Sequence, residues 1–120
     1  MIVAVTASGN TLESGFDNRF GRAETFILYD TETNTYSVMD NSQNLEAAQG
    51  AGVQAAQHVV SSGAKALITG HLGPKAAKVI FTAGLDVYHA DADTVSDALA
   101  MFKSKALQPL RNADVDGHWV

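Results

Sequence analysis

The sequence contains no cysteine. This excludes disulfides, zinc knuckles and cysteine-ligated iron–sulfur clusters together, because all of them need thiol sulfur from the chain. Whatever the chain binds must be held by backbone amides, basic side chains and apolar walls. Long apolar runs are missing as well. The stretch from Ala64 to Ile68 is broken by Lys65, so no segment is expected to span a bilayer. There is no cationic excess either. The net charge of −5 argues against general affinity for nucleic acid or anionic membrane, since both need a positive surface. The opening Met1-Ile-Val-Ala-Val-Thr6 is strand-like and carries no basic export pattern, so a cytoplasmic location is expected.

What is present suits one domain over residues 1–120, with 46% apolar and 18% charged residues around a single core. The acids are unevenly placed. None lies between Glu46 and Asp86, whereas Lys65, Lys75 and Lys78 do, and all 13 acids fall in the flanking segments. Two readings stand side by side. The gap reflects two mostly buried helices, or it keeps one edge free of carboxylates so that the edge can face an anion.

Residues 2–6 read as a strand buried on both faces. A polar, glycine-bearing loop from Ala7 to Gly21 follows, a length that in a small domain marks a functional or mobile segment. Residues 24–30 and 35–40 read as a hairpin around the turn chemistry of Thr31-Glu-Thr-Asn34. A helix is predicted from about Leu45 to Ser62, closed by Gly63, and a short buried strand at 65–69. Pro74 starts a helix that Gly84 closes, residues 85–89 form a strand, and Asp91 to Thr94 offers an N-cap for a last helix through about Lys103. The tail from Gln108 is expected to be irregular. The order β-β-β-α-β-α-β-α gives an α/β fold, a five-stranded mixed sheet flanked by helices. Ligands in such sheets sit beyond the carboxyl ends of the parallel strands, beside helix N-termini. That edge would collect the loops Ala7–Gly21, Asn41–Gly52 and Gly70–Pro74.

Gly50-Ala-Gly-Val-Gln-Ala55 matches a dinucleotide fingerprint as a string, but it does not follow the first strand of a βαβ unit. Its glycines could still let backbone amides approach a ligand, or they could serve helix–sheet packing. Gly70-His-Leu-Gly-Pro74 with Lys75 and Lys78 is the better anion candidate. Lysine in a first helical turn opposes the helix dipole, and a bound anion would offset both positive ends; solvated lysines are the plain alternative. Arg19 and Arg22, the only basic residues among the first 64, could close such a site or simply pair with Glu13, Asp17 or Glu24. The histidines at 58, 71, 89 and 118 show no metal-ligand spacing, although His71 lies on the proposed edge and could donate a hydrogen bond or ligate a metal there. No catalytic constellation is apparent.

The order of Phe20-Gly-Arg-Ala23 before Phe26-Ile-Leu-Tyr-Asp30, then Gly50-x-Gly52 opening a helix, is informative. So are Leu67-Ile-Thr-Gly70, Gly73-Pro74 with Ala76, Gly84-x-x-Val87-Tyr88 and Thr94-Val95. Together they resemble the nitrogenase iron–molybdenum cofactor biosynthesis family, small domains that carry or insert metal–sulfur cofactors. The resemblance implies a ribonuclease-H-like fold. It also implies a non-enzymatic carrier, and for a cysteine-free member a molybdenum–copper sulfide cluster of thiomolybdate type, held non-covalently. Such a cluster brings its own sulfide ligands, so the protein need supply only positive charge and N–H donors. Many family members have His before the Phe-Gly pair; Arg19 stands there in this chain and favours charge pairing. The contacts expected are Arg19, Gly21, Arg22, Asn44, Gly50, Gly52, His71, Gly73, Lys75 and Lys78, with no protein metal ligand and no catalytic residue. The alternative implied is an interaction module docking to P-loop ATPases. A nuclease, suggested by the fold alone, lacks the carboxylate cluster it would need.

Overall fold

The alternation along β1 (Ile2–Ala7) sets up the layers. Val3, Val5 and Ala7 face one apolar cluster and Ala4 faces another, so the strand is buried on both sides. The computed structural model describes residues 1–42 and 51–110. β2 (Thr25–Asp30) pairs antiparallel with β1, and β3 (Thr35–Asp40) continues the hairpin as an open edge on which Tyr36 and Val38 remain 40% exposed. The helix α1 (Ala51–Ser61) leads to β4 (Ala66–Thr69), which lies parallel beside β1. Then α2 (Pro74–Thr82) leads to β5 (Asp86–His89), parallel to β4, and α3 (Val95–Lys103) follows.

The two faces of the sheet are covered differently. Ala55, Ala56 and Val59 of α1, with Ala76, Ala77 and Ile80 of α2, pack on Ala4, Phe26, Leu67 and Val87. On the other face Val95, Ala98 and Leu99 of α3 cover Val3, Val5, Ile27 and Ile68. Small residues in α1 and α2 let the two helices lie close to the sheet and to one another. Both helices end on glycines of positive φ, Gly63 at 87° and Gly84 at 83°, where a Cβ would be strained. Among the described residues no helix is long and apolar enough to cross a membrane.

The sheet has six strands, not the five expected. β6 (Gln108–Pro109) pairs antiparallel with Tyr88 and His89, and Leu110 donates to the Val87 carbonyl at 2.8 Å, giving the order β3-β2-β1-β4-β5-β6. Two residues carry no readable alternation, and a proline without an N–H is admitted only on an edge such as this one. The first part of the helix predicted from Leu45 lies outside the described residues, as does the tail from residue 111.

Buried polar side chains gather at one end of the sheet. Thr6, Thr25, Thr69 and Asn41 are buried, and each is hydrogen-bonded. Thr6 donates to the Asp17 carbonyl and Thr25 to that of Gly9, and the Thr6 and Thr69 hydroxyls lie 3.2 Å apart. The Asn41 amide donates to the Ala23 carbonyl at 2.7 Å. These contacts fasten the 7–23 segment across the carboxyl ends of β1 and β4. At the end of β3, Asp40 accepts from the Ser42 N–H and hydroxyl, both at 3.0 Å, which holds its carboxyl below the ordinary range. Its contribution to stability is therefore present above the ordinary carboxylate pKa and lost as pH falls through the lowered one.

Thr6→Val keeps the shape of the side chain but leaves the Asp17 carbonyl without its partner. It should lower unfolding free energy by about 1–3 kcal/mol in a urea titration. A loss within error would show that the hydroxyl does not hold the loop.

Candidate functional site

The long loop after β1 divides into two halves with different attachments. Residues 8–16 run to the start of α3. Ser8 and Phe16 donate to the Gly15 and Asp93 carbonyls, at 2.9 and 3.0 Å. Val95 and Ser96 donate to the Ser14 and Leu12 carbonyls at 3.0 and 2.8 Å, and the Thr94 hydroxyl accepts from the Asp97 N–H at 3.1 Å. The free N–H groups at the start of α3 are thus satisfied by the chain itself.

Residues 17–22 turn the other way, toward the loop between β4 and α2. His71 donates its backbone N–H to the Asn18 carbonyl at 2.7 Å, and Phe20 donates to the His71 carbonyl at 3.1 Å. Arg19 and His71 thereby form a short parallel bridge. A 3₁₀ turn, Phe20–Arg22, follows, with Phe20 packed against Phe26 at 5.4 Å between ring centroids and the turn resting on α1. Gly70 makes this approach possible. A Cβ there would fall 2.5 Å from the Asn18 carbonyl oxygen and 2.8 Å from its Cα, which is backbone that cannot swing aside.

The start of α2 contrasts with that of α3. Gly73 occupies its N-cap with extended backbone and no side-chain cap, and Pro74 opens the helix. Lys75 is exposed on the first turn, beside N–H groups that carry the positive end of the helix dipole. Close by, a pocket of about 200 Å³ is lined by Asn18, Gly70, His71, His89, Ala90 and Asp91. The His71 and His89 rings stand 6.1 Å apart and nearly perpendicular, at 68°. Among the described residues no group of three His, Asp or Glu side chains gathers closely enough to hold a metal.

The structure therefore brings Arg19 against His71, which leads two residues later to the Gly73 cap and then to Lys75, while Gly21 and Arg22 lie in the 3₁₀ turn that rests on α1. Gly21 is buried within the turn, and Arg19 and Arg22 are exposed. Among the described residues neither arginine forms an ion pair; Asp17 accepts from the backbone N–H of Arg19, at 2.9 Å. Lys78 stands apart, lining a groove between α1 and α2 with Gln57, Val60, Ser61, Val79 and Thr82. Gly52 is buried in the first turn of α1, and Asn44 and Gly50 lie outside the described residues. His89, Asn18 and Asp91 are not among the contacts expected from the sequence. His89 ends β5, and its register opposite Thr69 places it next to the loop that carries His71.

Residues 1–105 match the family described as dinitrogenase iron–molybdenum cofactor. The chain belongs to that family. It is similar to the orange protein of Desulfovibrio gigas, solved in its apo form, with 35% identity, a TM-score of 0.91, and coverage of 95% of this chain and 96% of the other. It is also similar to a NifB-like protein of Thermotoga, at 34% identity and a TM-score of 0.85, covering 97% and 98%. An uncharacterized protein of Methanocaldococcus jannaschii is 26% identical over 110 residues, 90% of each chain.

Gly70→Ala should force the 17–22 segment off the β4–α2 loop. Hydrogen exchange at the His71 and Phe20 amides should accelerate at least about tenfold, with a stability loss of roughly 1–3 kcal/mol, the range for overpacking. Unchanged exchange at both amides would refute the close-approach account.

Proposed function

We propose that the chain is a non-enzymatic binding and carrier protein for an anionic metal–sulfide cluster. Family membership points to a cofactor of the metal-containing kind, and the molybdenum–copper sulfide type is what the sequence resemblance implies for a cysteine-free member. The observation that carries the reading is the contrast between two helix starts on one edge. The amides of α3 are occupied by the chain's own carbonyls, whereas α2 begins without a side-chain cap, next to Lys75, His71 and Arg19. Without cysteine, the protein's offer to the cluster is charge and hydrogen bonding, which a multiply anionic sulfide cluster requires if it is to leave water. The proposed contacts are Arg19, Gly21, Arg22, His71, Gly73 and Lys75, with Lys78 and Gly52 as further candidates; Asn44 and Gly50, also expected from the sequence, lie outside the described residues. A ribonuclease-H-like assignment is supported by the strand order, in which β1, β3, β4 and β5 run one way and β2 against them.

Apoprotein mixed with tetrathiomolybdate and copper should acquire a visible chromophore that travels with the protein through a desalting column. Molybdenum eluting only in the small-molecule fraction would sink the proposal. Arg19→Ala and Lys75→Ala should each raise the rate of chromophore loss roughly two- to tenfold, more steeply as salt increases, and Lys78→Ala should do less. Equal loss from all three variants would move the site toward the α1–α2 groove.

A further inference from the structure

We infer that the pocket between the end of α3 and the β5–β6 edge binds a small amphiphilic organic acid, an aromatic or short aliphatic body that carries one carboxylate. Tyr88, Phe102 and Leu107 would hold the body, and Lys103 and Lys105 the carboxylate. The site lies toward the end of the sheet where β1 begins and β2 ends, opposite the candidate cluster site, and is independent of the carrier reading.

The cavity is the first argument. Its volume of about 560 Å³ falls within the range of small-molecule sites. Phe102 of α3 stands edge-on to Tyr88 of β5, with 5.2 Å between ring centroids and 76° between planes, and Leu107 and Pro109 complete the apolar wall. That wall follows from the path of the chain. α3 stops at Lys103, the chain reverses, and β6 pairs with Tyr88 and His89, so Leu107 and Pro109 come to line the same cavity as Phe102.

The charge of the lining is the second argument. None of the lining residues is acidic, and two are lysines. Among the described residues neither lysine forms an ion pair. The amino group of Met1, on the same wall, is engaged with Asp30 and Glu32 at 3.9 and 3.8 Å, which offsets those two carboxylates. Lys103 is held in place. Its Nζ donates to the Tyr29 hydroxyl at 2.8 Å and stands 4.6 Å from the centre of that ring, while the Tyr29 hydroxyl donates in turn to Asn34 at 2.7 Å. An ammonium has three donors, so the bond to Tyr29 leaves others for a carboxylate.

The third argument is the backbone of Lys105. Each of the three α-helices among the described residues closes on a residue of positive φ. It is Gly63 after α1 and Gly84 after α2, but Lys105 after α3, at 62°. The Lys105 N–H donates to the Phe102 carbonyl at 3.1 Å and the Ala106 N–H to that of Met101 at 3.0 Å, the paired bonds of a helix stop that favours glycine. A side chain there is strained, and the helix dipole does not account for it, because Lys103 already places a cation in the last turn. A lysine standing where glycine would fit better, on the wall of an apolar cavity, marks a charge placed for a ligand.

The test is an NMR titration of the full ¹⁵N-labelled chain with 4-phenylbutyrate and with its uncharged analogue 4-phenylbutanol. The acid should bind in the millimolar range, as befits a ligand of about a dozen non-hydrogen atoms, with saturable shifts at the Tyr88, Phe102, Lys103, Lys105 and Leu107 amides. The alcohol should bind at least about threefold more weakly, the loss expected when an exposed charge pair is removed. Lys105→Gln removes the charge and keeps the backbone strain. It should weaken the acid roughly two- to fivefold and leave the urea midpoint where it is. Lys105→Gly should weaken the acid as much and raise the urea midpoint, because the left-handed turn is then unstrained. Three results in the wild type overturn the site: no saturable shift, shifts gathered at His71 and Lys75 instead, or equal affinity for acid and alcohol. Undiminished affinity in Lys105→Gln does so too, and a lowered midpoint in Lys105→Gly would show that the lysine serves the fold rather than a ligand.

Discussion

Everything at the carboxyl edge depends on a few threonine hydroxyls that bond backbone carbonyls of the first long loop. Thr6 and Thr25 are buried at the same end of the sheet, and their hydroxyls take the carbonyls of Asp17 and Gly9. A buried hydroxyl left without a partner costs about 1–3 kcal/mol, so each contact is strongly selected over its absence once the sheet has formed. The loop is held at both ends of its course, and its fifteen-odd residues cease to be a tether. They become part of the wall. Within the described residues this is a hydrogen-bonded element.

Fixing the loop has an electrostatic consequence. Its first half spends carbonyl oxygens on the start of α3, which cancels the positive end of that helix. Its second half gives backbone contacts to His71 and leaves the start of α2 alone. One loop therefore decides which of two neighbouring helix ends can attract an anion. Lys75 makes the same point from the other side, because a lysine there adds to the dipole rather than compensating it. The acid-free stretch from residue 47 to 85 covers β4 and α2, the two elements that deliver this corner.

Much of this was legible in the sequence. Alternation and turn residues located β2, β3, β4, α2, β5 and α3 to within a residue or two, because each is long enough for periodicity or is bounded by glycine or proline. The parallel crossovers then brought the loops after β1 and β4 to one edge of the sheet. β6 was not legible, since two residues, one of them proline, have no period to read. The loop's docking was not legible either. Hydroxyl-to-carbonyl bonds join residues 6 and 17, or 25 and 9, without any pattern between them. His89 is an intermediate case. Its position at the end of β5 was readable, but its closeness to His71 needed the strand order and the register opposite Thr69.

The absence of cysteine takes on a narrower meaning in this light. Without thiolates, a carrier of metal–sulfide clusters must either rely on charge alone or find ligands that leave the cluster's own sulfur in place. Lysine and arginine hold an anion by Coulomb attraction, which salt weakens and which fixes no particular orientation. Backbone N–H groups add direction to that attraction, because each donates along its own line. The two kinds of contact are complementary rather than redundant. Arg19 and Lys75 would draw the cluster to the edge, and the amides at the start of α2 would set its orientation there.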